Sequence, residues 1–172
     1  VGVFFYFKTP FTMDIVYRPI LKDDNFALAK MIRDAFHEFD APQKGTVYSD
    51  PTTDDLYTLF QQENAVCWVA LSQNIPVGCC GVFPTPGLAP NVVELVKFYL
   101  SHTVRGKGIG NKLFQLSLQS AMEIGYDQVY IESLPHFKKA IQLYEQNGFV
   151  FLNKPLLHSQ HPGCDIWMLK KL

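Results

Sequence analysis

Apolar and polar positions alternate with two periods along this chain, and the changes of period divide it into elements. "DIVYRPI" (14–20) has the two-residue period of a strand and stops at Pro19. Leu28, Met31, Ile32, Ala35, Phe36 and Phe39 then recur at helical spacing, and Asp23 or Asp24 can cap that helix. "DAPQKGTVYSDP" (40–51) breaks the pattern and reads as loop. Thr53 can cap a short helix carrying Leu56, Leu59 and Phe60. "AVCWVALSQNIPVGCCGVF" (65–83) is two apolar strands around a Gln73–Asn74 turn, and "PTPGLAPN" (84–91) is loop.

The strand "VVELVKFYLS" (92–101) changes parity partway. Val93 and Leu95 set one face, then Val96, Phe98 and Leu100 another. A β-bulge gives such a slip; so does a strand buried on both faces. Beyond it "SHTVRGKGIGNKLFQL" (101–116) packs three glycines into a turn before an apolar helix. "DQVYIES" (127–133) is a strand. Phe137, Ala140, Ile141 and Tyr144 space as a helix that Asn147–Gly148 ends. "FVFL" (149–152) and "DIWMLKKL" (165–172) close the chain as strands. The order is βααβββαβαββ without repeat or linker, an α/β (α+β) chain with a mixed sheet covered by helices.

Composition sets limits on this picture. The 172 residues suit one domain, expected over 14–172. Residues 1–13 ("VGVFFYFKTPFTM") are expected to be an extension upstream of an initiator at Met13, or an extra edge strand. A net charge of −1 gives no general reason to expect nucleic acid or an anionic membrane as partner. No run of about 18 apolar residues predicts a membrane span. The four cysteines, two of them adjacent, read as buried thiols of a reducing cytoplasm. Charge is nevertheless unevenly placed. Lys97, Arg105, Lys107 and Lys112 have no acidic residue among them, whereas residues 14–63 hold ten acidic and five basic residues. Two ligands of opposite charge are the expectation.

A strand, a glycine-rich turn and a helix start make an anion site, because the free N–H groups of the first turn point outward and the helix dipole favours negative charge. Gly106, Gly108 and Gly110 remove side chains, so a phosphate can approach the backbone. A P-loop would end G-K-[ST], whereas this run ends Gly110-Asn111-Lys112. The dinucleotide fingerprint G-x-G-x-x-G would follow the first strand, and here G-x-G-x-G follows the fourth.

"RGKGIG" (105–110) resembles the R/Q-x-x-G-x-G/A pyrophosphate turn of the GNAT N-acetyltransferase superfamily. "AIQLYEQNGF" (140–149) resembles its A-x-x-L-Y-x-x-x-G-F segment, and the order of elements from Asp14 to Leu172 agrees. "ELVKFYLSHTVRGKGIG" and "YIESLPHFKKAIQLYEQNGF" look like small bacterial members of that family, most of whose acceptors are unassigned. The resemblance implies a GNAT fold, with a mostly antiparallel sheet of six to seven strands and helices on both faces. It implies acetyl-CoA as cosubstrate and no metal. The pyrophosphate would lie on the N–H groups of Arg105, Gly106, Lys107, Gly108, Ile109 and Gly110, with Asn111 beside them. The pantetheine would lie along Phe98, Tyr99 and Leu100. Many members carry Asn three residues before the Ala of the Tyr helix. Here that position is Phe137, so the contact falls to a neighbour such as His136, with Lys139 next to it.

The resemblance also implies the chemistry. An amine of pKa about 10.4 costs roughly 4–5 kcal/mol to deprotonate at pH 7, and an α-amine of pKa about 8 costs only about 1 kcal/mol. A base therefore helps, and an acid that protonates the leaving thiolate helps again. Tyr144 is the candidate acid; a packed core tyrosine would occupy the same stripe. Glu94, interrupting an apolar strand eleven residues before Arg105, is the candidate base; a carboxylate binding the acceptor, or paired with Lys97, would look the same. A backbone N–H freed by a bulge could stabilise the oxyanion. His158, His161 and Cys164 could form a metal site, but Pro162–Gly163 and the lack of a fourth ligand favour a substrate-facing loop or packed turn. The expected function is direct acetyl transfer to the amine of a small molecule such as an amino acid or polyamine. The alternatives are a protein or peptide acceptor, or acyl-CoA binding without catalysis. A homodimer is compatible with this reading.

Overall fold

The computed structural model describes residues 14–157 and 161–172. The expectations for residues 1–13 and for His158 lie outside these. In chain order the elements are β1 (Ile15–Pro19), α1 (Asn25–Glu38), α2 (Leu56–Leu59), β2 (Val66–Ser72), β3 (Ile75–Phe83), β4 (Val92–Leu100), α3 (Ile109–Ile124), β5 (Gln128–Ser133), α4 (Lys138–Gln146), β6 (Val150–Phe151) and β7 (Ile166–Lys171). This is the order expected from the sequence.

Local chemistry sets the joints. Gln73 and Asn74 both take positive φ (51° and 63°), as the two-residue hairpin between β2 and β3 requires. Asp24 precedes α1 without capping it. Its carboxylate accepts two bonds from Arg18 (2.7 and 2.9 Å) and one from the Leu21 N–H (2.8 Å). Nor does Thr53 cap α2. Asp55 does, accepting from the Thr58 N–H (3.3 Å), while the Thr53 hydroxyl donates to the Val47 carbonyl (2.7 Å).

The seven strands form one sheet in the order β1-β2-β3-β4-β5-β7-β6. Every pairing is antiparallel except β4 with β5, which is parallel and only three residue pairs long, from Val92↔Gln128 to Glu94↔Tyr130. Each face carries a core. On one, α3 and α4 place Ile109, Leu113, Phe114, Leu118 and Tyr144 over Cys80, Val82, Val93, Leu95 and Met168. On the other, Leu28, Ile32 and Phe36 of α1, with Leu56 and Phe60, cover Cys67, Val69, Leu71 and Cys79. The adjacent Cys79 and Cys80 thus serve opposite cores.

The parity slip in β4 is a bulge. Between Cys79↔Tyr99 and Gly81↔Val96, β4 carries one residue more than β3. Lys97 takes φ +55° there, and its carbonyl accepts the Cys79 thiol (3.0 Å). The slip falls one residue later than the apolar pattern suggested. Val96 packs with the α1 side, and the α3 side resumes at Phe98 and Leu100.

Candidate active site

After Glu94, β4 and β5 part. β4 runs on to Leu100 paired only with β3, and β5 runs on to Ser133 paired only with β7. The cleft between them is lined by β4 from Glu94 to Tyr99, by Glu132, Ser133 and Leu134, and by Phe137 and Tyr144. Thr46 and Val47 of the loop after α1, with His161 and Cys164 of the loop before β7, also line it. The short parallel pairing therefore creates the site.

Glu94 stands where the strands separate. It is 7% exposed, and one carboxylate oxygen accepts the Thr85 hydroxyl. Burial pushes the carboxyl up to about 7, with a further push from Glu132. The Thr85 bond and the charges of His161 and Lys97 oppose that rise without cancelling it. A carboxylate so placed is half-ionised near neutral pH, the range in which a general base works best. Lys97 forms its ion pair elsewhere. Its ammonium lies 3.0 Å from Asp50 and donates to Thr53 (3.3 Å) and Thr52 (3.4 Å). Asp50 also meets His161 (3.1 Å). Burial pushes the Asp50 carboxyl up, but the His161 bond and the Lys97 charge outweigh it and hold it well below the usual carboxylate range.

Tyr144 lies on the opposite side of the cleft. Its ring packs on Phe98, Phe114 and Phe149, with centroids 5.8–6.2 Å away, so it belongs to the core as the apolar stripe suggested. It also lines the cleft, and its hydroxyl has no hydrogen-bond partner among the described residues. Burial raises this phenol well above its ordinary value, so the hydroxyl is protonated at neutral pH and can act as a donor. The Cys164 thiol, pushed up to about 12 chiefly by burial, is not a nucleophile at neutral pH.

At the mouth of the cleft, the chain turns from β4 into α3. Gly106 and Gly108 take positive φ (75° and 79°), and a Cβ at either would meet nothing within 4 Å. Among the described residues no backbone carbonyl accepts the N–H groups from Arg105 to Asn111, and α3 begins its ladder with Lys112 bonding to Gly108. These open amides at a sixteen-residue helix fit a pyrophosphate. Gly110 differs: a Cβ there would stand 2.5 Å from Leu100 Cδ1, so it is needed for packing α3 on β4 rather than for phosphate access. The Ile109 side chain is likewise core, leaving only its amide for an anion. Arg105 turns away from the turn. Its guanidinium donates to the Leu100 carbonyl (3.0 and 3.2 Å), pairs with Glu38 and covers the Phe39 ring at 4.9 Å.

A sequence profile of the Acetyltransferase (GNAT) family matches residues 32–149. The chain belongs to that family. Among its relatives is the uncharacterized N-acetyltransferase YjgM of Escherichia coli (strain K12), 34% identical over 158 residues, which are 91% of this chain and 95% of the relative. Solved structures share the GNAT fold at lower identity. An acetyltransferase from Staphylococcus aureus Mu50 superposes with a TM-score of 0.80 at 18% identity, covering 92% of this chain and 99% of its own. YncA from Salmonella typhimurium, solved with acetyl-CoA, gives 0.72 at 17% identity, covering 91% and 93%.

In this GNAT chain the expected site residues do not all converge. Glu94, Phe98, Tyr99 and Tyr144 line the cleft, and Leu100 leads from it to the glycine turn. His136 and Lys139 are exposed at the start of α4 and do not line it. Phe137, in the place of the family's Asn, packs edge-on against Phe36, Phe39 and Tyr99. Among the described residues no group of three or more His, Cys, Asp and Glu side chains could hold a metal. Sequence reasoning missed Thr85 and Glu132. Glu132 interrupts an apolar strand as Glu94 does, which was the available signal; Thr85 lies in a loop and gave none.

Proposed function

We propose that this chain is an acetyl-CoA-dependent N-acetyltransferase that acts directly on the amine of a small molecule. The observation that carries the reading is the parting of β4 from β5 at Glu94, which puts a buried carboxylate and a buried phenol on one cleft that leads to an anion-binding turn. The open amides of Arg105–Asn111 and the bare faces of Gly106 and Gly108 would hold the pyrophosphate. The free edge of β4 at Phe98–Leu100 would take the pantetheine, and acetyl-CoA supplies an activated acyl group on a thiol.

Glu94 takes the proton from the acceptor's ammonium. Its rise from 4.5 to about 7 reduces the uphill proton transfer by about 3 kcal/mol relative to an ordinary carboxylate. An α-amine then lies only about one pKa unit above the base, whereas a lysine-like amine lies more than three above it. Tyr144 delivers its hydroxyl proton to the departing sulfur and keeps it otherwise. A backbone N–H released by the bulge at Lys97 offers a hydrogen bond to the developing oxyanion.

Support for a small acceptor comes from the loops around Thr46 and His161, which line the cleft on the acceptor side. All four cysteines are free thiols, three of them buried, which fits a reducing cytoplasm. Residues 14–172 would work as one domain. The test is free-thiol release over a panel of amino acids, polyamines and peptides. Turnover with small amines is expected. Turnover confined to peptides would move the acceptor to protein, and acetyl-CoA binding without turnover on any amine would make the chain a binding module.

A further inference from the structure

Lys97 carries a cation into the interior at the one place where β4 is irregular. Its side chain is 3% exposed, its backbone takes φ +55°, and its carbonyl is held by the Cys79 thiol. The ammonium leaves the bulge for another part of the chain. It meets Asp50 at 3.0 Å and the hydroxyls of Thr53 and Thr52. Asp50 in turn accepts the Thr52 N–H (2.9 Å) and fixes the turn at Pro51–Asp54. Its second oxygen meets His161, and the Gly163 N–H bonds to the Gly45 carbonyl (2.9 Å). Three separate segments, residues 44–54, the bulge, and residues 161–165, therefore meet around one part-buried ion pair.

We propose that Lys97 and Asp50 are positioning residues, whose pair holds the acceptor-side wall in register with the bulge of β4. The inference rests on the function proposed above and adds how its two halves are aligned. The wall presents Thr46 and His161 to the cleft, and the bulge presents the backbone on which the acyl group is held. A buried pair contributes little net stability, but losing one partner strands the other charge in the interior. Without Lys97, the ion pair between the wall and β4 is lost, and Asp50 keeps His161 and its own turn. Among the described residues the glycine turn shares no hydrogen bond with this group, so the pyrophosphate's contacts should be independent of it.

The test uses the full chain as Lys97→Met, as the milder Asp50→Asn, and as the double variant. In folded Lys97→Met, amide hydrogen exchange at Thr53 and Gly163 should rise at least tenfold, with no change in the turn at 105–111. The acceptor's KM should rise at least fivefold while the KM for acetyl-CoA stays within twofold. Asp50→Asn should show the same pattern and supplies the answer if Lys97→Met does not fold. The double variant, free of a stranded charge, should recover thermal stability without recovering kcat/KM for the acceptor. Unchanged exchange at Thr53 and Gly163 would overturn the proposal, as would full recovery of kcat/KM in the double variant. If the wild-type chain acetylates no amine, the proposed function fails, and the exchange measurement still decides whether the pair holds the wall.

Discussion

Gly110 and Leu100 are in contact across the junction of α3 and β4, with room for a hydrogen and none for a methyl group. An added Cβ would lie 2.5 Å from Leu100 Cδ1 and 3.5 Å from Phe98 Cζ. Gly110→Ala must therefore displace the Leu100 side chain or push α3 off the strand that forms one wall of the cleft. The expected cost is about 1–3 kcal/mol of stability. Chemical denaturation checks it, and a loss below half a kcal/mol would show that the Leu100 side chain gives way freely.

Gly108 should respond differently, because its Cβ position is open. Gly108→Asn tolerates the positive φ and should fold, but it puts a neutral side chain on the face proposed for the pyrophosphate and should weaken acetyl-CoA binding severalfold. Gly108→Glu adds negative charge at the open amides and should weaken acetyl-CoA binding at least tenfold in a folded protein. Calorimetry compares them. Affinities equal to wild type in both variants would remove the turn from the binding site.

Glu94 links stability and rate to the same proton. Its folded pKa of about 7 lies above the ordinary 4.5, so the folded chain holds the proton more tightly than the unfolded one. Its contribution is most favourable below pH 4.5, declines between 4.5 and 7, and is flat above, a change of about 3 kcal/mol. Glu94→Gln should abolish that decline in a pH series of unfolding curves. In the wild type kcat/KM should rise with pH through about 7 as the base ionises. In Glu94→Gln it should fall most near neutrality and recover in part at pH 9, more for a lysine-like amine than for an α-amine. A loss independent of pH and confined to KM would make Glu94 a ligand of the acceptor.

Tyr144→Phe keeps the ring contacts with Phe98, Phe114 and Phe149 and removes a hydroxyl that has no partner among the described residues. Stability should change by less than about 1.5 kcal/mol. If the hydroxyl supplies the leaving sulfur with its proton, kcat should fall roughly 100-fold with acetyl-CoA affinity unchanged. A thioester of a more acidic thiol should be less affected. A folded variant with kcat within threefold of wild type would leave Tyr144 as a core residue only.

The order of elements was legible because each is marked by local chemistry, such as the Gln73–Asn74 turn, the glycines before α3 and the stripe from Phe137 to Tyr144. The bulge showed as a parity change, but Val96 is apolar and suits either face, so the pattern placed the slip a residue early. The two caps went astray for a shared reason. Asp24 and Thr53 have side chains able to cap, yet Arg18 and the Val47 carbonyl claim them through contacts made only on folding. Glycine spacing could not separate the roles of Gly108 and Gly110, since one depends on φ and the other on Leu100. Nor could sequence show that Lys97 pairs with Asp50, forty-seven positions away, instead of Glu94 three positions away.

The three-residue seam between β4 and β5 has a mechanical consequence. Backbone pairing elsewhere in the sheet is longer except at the short outer strand β6, so hydrogen bonding across the middle is its thinnest part. A molecule lying along the free edge of β4 with its acyl end against β5 would act as a splint across that seam. The chain would then owe part of its rigidity to its own reactant, firm while loaded and looser along that seam once the spent thiol has gone.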